Sequence, residues 1–342
     1  MAKSYIDIFV EEYKKEKRQA EMEKTAEECA KIRKYLAERY GEKSGVLKGY
    51  LDGIESVIQP DNDSDIVYKL ILNENRTKRF GGIPGFSESI HGFQRGEPNN
   101  IIFYNEYYPY HVAVNPVPIS YGALTLIKEK SAEVIPTTVN NEVCRGSLND
   151  LETLLRLSNE TGTRVFHNMD GAGASKLEAH WQATTDSFQI EFIKREEINA
   201  YYGIYTLIDY PGDNVIFTGK QKIEKSLEFV EHLNSRRIPH NIILANNEIY
   251  VIPIKNEFAG KEFGLDIRSR IAGCEVGNCC YIALNRDDFN RIKNKEKIKI
   301  KKFKDGAEVE EERELSVKEI IKEALFEKEK IIKESNTILR GE

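Results

Sequence analysis

Two stretches of this chain follow one plan: short strands, a single amphipathic helix, then two more strands. In the first, residues 66–72, 100–104, 111–115 and 123–128 are β-like, with Pro, Gly and Asn between them. A helix follows, capped by Ser147, with Asp150 in its first turn. Leu148, Leu151, Leu154 and Leu155 line one face before Gly162 stops it. In the second stretch, Ile223, Leu227, Val230 and Leu233 describe a helix. Strands over 241–245 and 248–254 then join across an Asn246-Asn247 turn. A further apolar strand over 279–284 leads into a helix near Arg286. The pattern predicts an α+β protein of two similar halves with antiparallel sheets and packed helices.

The 342 residues are enough for one large core or two moderate ones. Residues 1–60 are expected to form an N-terminal helical extension, 61–199 one half, 200–294 the other, and 295–342 a C-terminal edge strand and helix. In the first segment Ile6, Phe9, Tyr13, Ile32, Tyr35 and Leu36 fall at helical spacing. In the last, Ile298, Ile300 and Phe303 alternate with lysines, as in an edge strand protected by charge. A closing helix starts at Ser316, with Glu319 three residues on, and carries Ile320, Ile321, Ala324, Leu325, Ile331 and Ile332.

The net charge of −6, from 50 basic and 56 acidic residues, argues against a nucleic-acid coat, which usually needs a basic stripe. No run of about 18 apolar residues predicts a membrane span, and the N-terminus lacks a signal peptide's apolar core. A cytoplasmic location is expected. Five scattered cysteines do not suggest a disulfide framework, and Cys274, Cys279 and Cys280 read as buried thiols rather than metal ligands.

The segment 164–183, RVFHNMDGAGASKLEAHWQA, carries the chemistry. It reads as a strand, a small-residue turn and a second strand. Side chains two apart on a strand share a face at roughly 7 Å, so Glu178, His180 and Gln182 form a row. Asn168, Gly171, Gly173 and Ser175 precede them closely enough to line the same pocket. Small residues let turn N–H groups approach a phosphate. A neutral imidazole can attack phosphorus, while Gln182, Asn168 and Ser175 offset charge on the non-bridging oxygens. By spacing alone, a His beside a Gln, as at His180 and Gln182, is more often a hydrogen-bonded core or surface residue than a nucleophile. His167 is expected on the opposite face of its strand from Asn168. His91, His111, His232 and His240 have no partner at a telling spacing.

The segment resembles the active-site region of the histidine-triad superfamily, in the branch of galactose-1-phosphate uridylyltransferase, diadenosine tetraphosphate phosphorylase and the GDP-hexose phosphorylases. Those proteins carry a small-residue turn, a serine and His-x-His-x-Gln. Here Gly171–Ser175 and Glu178-Ala179-His180-Trp181-Gln182 stand at those places. Residues 115–124, NPVPISYGAL, are similar to an upstream strand-turn-strand of the same proteins. The resemblance is strongest to the GDP-L-galactose and GDP-D-glucose phosphorylases. It continues through PHNII at 239–243, IYVIP at 249–253, AGCEVGN at 272–278 and IALNRDDF at 282–289. Residues 72–79, LNENRTKR, are similar to an element preceding their core and offer Arg76, Lys78 and Arg79 to a phosphate.

The resemblance implies two histidine-triad-like halves, one carrying the site. It implies a nucleotidyltransferase acting on a GDP-hexose-like NDP-sugar or a dinucleotide, with His180 nucleotidylated and inorganic phosphate as acceptor. Asn115, Asn168, Ser175 and Glu275 would assist at the substrate. Glu178 stands where the family has its first His and would repel phosphate unless protonated, paired or turned away. It could also orient His180. No cofactor is expected to be required, Mg²⁺ at Glu178 being the one candidate ion, and no structural metal is expected. The expected ligands are a nucleotide or nucleotide-sugar and phosphate, with a homodimer as the candidate assembly. The alternatives are a nucleotide-binding regulatory protein that has lost turnover and a hydrolase using water in the same pocket.

Overall fold

The computed structural model describes residues 54–74, 101–103, 110–114, 124–128, 151–173, 180–304 and 307–340. For residues 101–103, 110–114, 124, 125, 127, 128, 180, 301–304, 307 and 308 the description is of the backbone alone. Of the helical extension expected over residues 1–60, residues 1–53 lie outside the described residues, and its end is corrected: residues 55–60 form a strand paired with residues 67–72 rather than a helix.

Ten strands form one antiparallel sheet. In spatial order they are β3 (Ile101–Phe103), β4 (Tyr110–Val114), β5 (Leu124–Lys128), β7 (His180–Thr184), β6 (Arg164–Asn168), β11 (His240–Ala245), β12 (Glu248–Pro253), β10 (Val215–Phe217), β9 (Ile204–Leu207) and β8 (Arg195–Asn199). Read inward from each edge, the two sets of five strands have the same order. Among the described residues, each has one helix between its third and fourth strands in the chain: α1 (Leu151–Thr161) in the first and α2 (Lys222–Ser235) in the second. The halves meet where β6 pairs with β11, Ile242 lying opposite His167. The repeated plan read from the sequence is thus present as a repeated topology.

A smaller sheet joins β1 (Glu55–Pro60), β2 (Val67–Leu72) and β13 (Cys280–Ala283), with β2 and β13 parallel. Sheet membership crosses the expected segment boundaries. β8 ends at Asn199 yet pairs with β9, and β2 lies against β13 from the far end of the chain. Short helices complete this region: α3 (Ala259–Glu262), α4 (Gly273–Gly277) and α5 (Arg286–Lys293).

Strand alternation sorts the core into layers. On one face of the large sheet Val165, Trp181, Ala183, Ile242 and Leu244 pack with Leu151, Leu154, Phe229 and Leu233 of α1 and α2. On the other face Phe166, Ile243, Tyr250 and Ile252 pack with Leu70, Val276 and Tyr281 of the smaller sheet and α4. Gly162, at φ +67°, ends α1 as the sequence predicts. Asn246 and Asn247, at φ 51° and 63°, form the tight turn between β11 and β12.

Two C-terminal expectations need correction. The lysine-rich strand is not a lone edge: β14 (Lys297–Lys304) pairs with β15 (Ala307–Glu314) in a separate hairpin, bridged by Lys297–Glu312 and Lys299–Glu310. β15 has few apolar residues, so its strand pattern is weak. The closing helix is three helices, α6 (Val317–Ala324), α7 (Lys330–Glu334) and α8 (Asn336–Arg340). Ser316 caps α6 as expected, accepting from Glu319 N–H. Leu325 then turns extended and bridges to Ile254, while Lys255 and Asn256 N–H donate to the Ala324 carbonyl. These contacts with the body end the helix despite its continuing apolar stripe.

Candidate functional site

The site is built where β6 leaves the sheet and the chain returns as β7. In the second half the equivalent link is the two-residue turn; here residues 169–179 intervene. Gly171 and Gly173 both have positive φ, +76° and +91°. Their need for glycine is steric as well: a Cβ on Gly171 would lie 2.9 Å from Pro239 Cγ, and one on Gly173 would lie 2.4 Å from Ala272 Cβ. The turn is therefore clasped between the start of β11 and the start of α4.

Two turn N–H groups expected to meet phosphate are engaged within the protein. Ala172 N–H donates to the Met169 carbonyl at 2.9 Å. Gly173 N–H donates to Glu257 Oε2 at 2.6 Å. Glu257, which follows β12, is buried; burial raises its carboxyl pKa against the opposing pull of the Gly173 hydrogen bond and of Arg270. Arg270 Nη1 stands 3.9 Å from the same oxygen, and its guanidinium lies over the Phe258 ring at 5.0 Å. Neither Glu257 nor Arg270 is signalled in the sequence, because 84 residues separate Gly173 from Glu257.

Asn168 ends β6, buried on the face opposite the helices. Its Oδ1 accepts Gly273 N–H at 2.8 Å, so its acceptor is committed to α4 and its Nδ2 remains the donor. The pairing of β6 with β7 runs as far as His167 opposite Trp181; Asn168 and His180 lie one residue further on their strands. His180 is the first residue of β7, with its backbone opposite Ile127. Gln182, two residues on, is half-buried opposite Phe166. Asn241 of β11 lies opposite Asn168 and is fully buried, with neither amide atom hydrogen-bonded. Sequence reasoning passed over it.

Glu275 sits fully buried in α4, where its charge adds to burial and to Cys274 in raising the Cys280 thiol pKa. Its carboxylate is not exposed. Ser175, Glu178, Asn115, Arg76, Lys78 and Arg79 lie outside the described residues.

His167 and His240 have structural surroundings. His167 is buried against Trp181, ring centroids 5.0 Å apart, on the helix-covered face. His240 is fully enclosed, and burial lowers its pKa to about 4 while Nδ1 meets the Ile238 carbonyl. Cys274, Cys279 and Cys280 are buried thiols, that of Cys279 being pushed up to about 12. Among the described residues no group of three His, Cys, Asp or Glu side chains is arranged to hold a metal, and no helix is long and apolar enough to cross a membrane.

No protein-family model and no curated protein matches the sequence. Solved structures do. The crystal structure of yeast Ap4A phosphorylase Apa2 in complex with AMP superimposes with a TM-score of 0.51 at 11% identity, over 77% of this chain and 91% of that one. A second structure of Apa2 gives 0.50 at 11% identity, over 77% and 90%. The likeness is one of fold: this chain shares with Apa2 an α+β architecture of antiparallel sheets and packed helices.

Proposed function

We propose that the protein is a nucleotidyltransferase of phosphorylase type. It moves the nucleotidyl group of a dinucleoside polyphosphate or an NDP-sugar to inorganic phosphate through His180. The observation that carries this reading is an asymmetry between topologically equivalent halves. Only the first replaces the two-residue turn with a long small-residue loop, and that loop leads directly to His180. The Apa2 fold likeness supports the dinucleotide, and the motif resemblance supports the GDP-hexose.

In the first step an uncharged imidazole nitrogen of His180 attacks the α-phosphorus. A P–N bond forms, the bridging P–O bond breaks, and ATP or sugar 1-phosphate leaves with the electron pair. In the second, a phosphate oxygen attacks the same phosphorus, the P–N bond breaks, and a nucleoside diphosphate departs. An unperturbed imidazole is largely neutral at physiological pH. Asn168 Nδ2, Gln182 and Ser175 donate to the non-bridging oxygens, where charge accumulates. Glu178 orients the imidazole, and Arg76, Lys78 and Arg79 attract the polyphosphate.

The test is turnover of Ap4A and of GDP-hexoses with and without phosphate. Phosphate-dependent appearance of ADP with ATP, or of GDP with hexose 1-phosphate, is expected. Release of AMP with ATP, or of GMP with hexose 1-phosphate, in the absence of phosphate would make the protein a hydrolase. Tight nucleotide binding without turnover would make it a regulatory binder.

A further inference from the structure

Glu257 reaches the small-residue loop from the second half of the large sheet. One of its oxygens, Oε2, takes Gly173 N–H at 2.6 Å and faces Arg270 Nη1 at 3.9 Å. A turn amide and a guanidinium converging on one anionic oxygen is the donor set that phosphate oxygens favour. Glu257 is 9% exposed and Arg270 has a 38% exposed side chain, so the pair runs from a buried end to an open one. Asp170, on the same loop, adds repulsion toward the carboxylate. Holding the loop requires no negative charge, since Gly171 and Gly173 already lock against Pro239 and Ala272. A neutral acceptor would satisfy Gly173 N–H equally.

We propose that Gly173 N–H and Arg270 form a phosphate-binding subsite whose place is held by the Glu257 carboxylate until a phosphate displaces it. The carboxylate stands in for one phosphate oxygen and preorganises both donors. The incoming group wins by its larger charge and extra acceptors. This inference rests on the proposed function only for the ligand's source, either the acceptor phosphate or a phosphoryl group of the nucleotide.

The experiment is calorimetric titration of the full chain with inorganic phosphate in a phosphate-free buffer. Glu257→Gln keeps an acceptor for Gly173 N–H and removes the charge. It should bind phosphate at least about tenfold more tightly, the scale of one charge contact near a protein surface. Arg270→Gln should bind it about tenfold more weakly on the same grounds. In the wild-type protein the Gly173 amide resonance should shift on phosphate addition, a readout independent of whether the variants fold. AMP that competes with phosphate would assign the subsite to the nucleotide; AMP that binds alongside it would assign it to the acceptor. Unchanged phosphate affinity in Glu257→Gln, or a Gly173 amide unmoved at saturating phosphate, would overturn the proposal. The predicted phosphate pattern without any nucleotidylation of His180 would sink the proposed function and leave this subsite standing.

Discussion

Gly273 gives its backbone N–H to Asn168 Oδ1 at 2.8 Å, across 105 residues of sequence, and so fastens α4 to the last residue of β6. One bond thereby links the small-residue turn, the smaller sheet and the strand adjoining His180. Asn168→Ala leaves a buried N–H without its acceptor and should cost about 1–2 kcal/mol in chemical denaturation. Asn168→Asp keeps the acceptor and should retain most of that stability. It exchanges the Nδ2 donor for negative charge, so nucleotide affinity should fall steeply. Equal nucleotide affinity in Asn168→Asp would remove Asn168 from the substrate.

Gly173→Ala tests the clasp of the turn. The methyl would meet Ala272 Cβ at 2.4 Å and its backbone Cα at 2.7 Å, at a φ that L residues rarely adopt. Loss of about 1–3 kcal/mol is expected, measured by urea unfolding. Gly162→Ala also has positive φ but meets nothing within 4 Å. It should cost less and leave nucleotide binding unchanged.

Asn241→Leu should raise stability. The amide is fully buried and neither polar atom has a hydrogen-bond partner. An unsatisfied buried polar group costs about 1–3 kcal/mol, which an apolar side chain of similar volume recovers. A lower melting temperature in this variant would show that the amide is satisfied in solution.

Asp213 and His240 give opposing acid responses. Burial pushes Asp213 up to about 6, against the hydrogen bond that its carboxylate accepts from Ile331 N–H of α7. The folded protein therefore holds a proton there that the unfolded chain has released. This stabilisation is complete below pH about 4 and is lost as pH rises through 6. His240, lowered to about 4 by burial, works in reverse: its contribution is present above pH about 6.5 and is lost as pH falls through 4. Between those limits the two largely offset each other. Asp213→Asn should make stability rise more steeply from pH 4 to 6.5 in denaturant titrations. An unchanged slope would show that the carboxyl titrates normally.

Local pattern revealed the elements that are locally determined. The leucines of α1, the glycine that stops it and the Asn246-Asn247 hairpin all read directly, because each depends on residues a few positions apart. Long-range partners did not. β2 beside β13, Leu325 beside Ile254 and Glu257 on Gly173 depend on chain crossings that leave no periodic trace. The break after α6 falls within a good apolar stripe, since the body claims Leu325 before the helix can continue. At the site, the strand-turn-strand frame of Asn168, Gly171, Gly173 and Gln182 was legible, whereas the prior engagement of Gly173 N–H and Asn168 Oδ1 was not. Both partners arrive from the second half of the chain, and donors in a small-residue turn look free when read in sequence alone.

The most direct test is to incubate the protein with Ap4A or GDP-hexose labelled at the α-phosphate, denature it, and map the bound label. The account predicts acid-labile label on His180, discharged by inorganic phosphate and missing from His180→Gly. Phosphorolysis without labelled protein, or label that persists in His180→Gly, would contradict it.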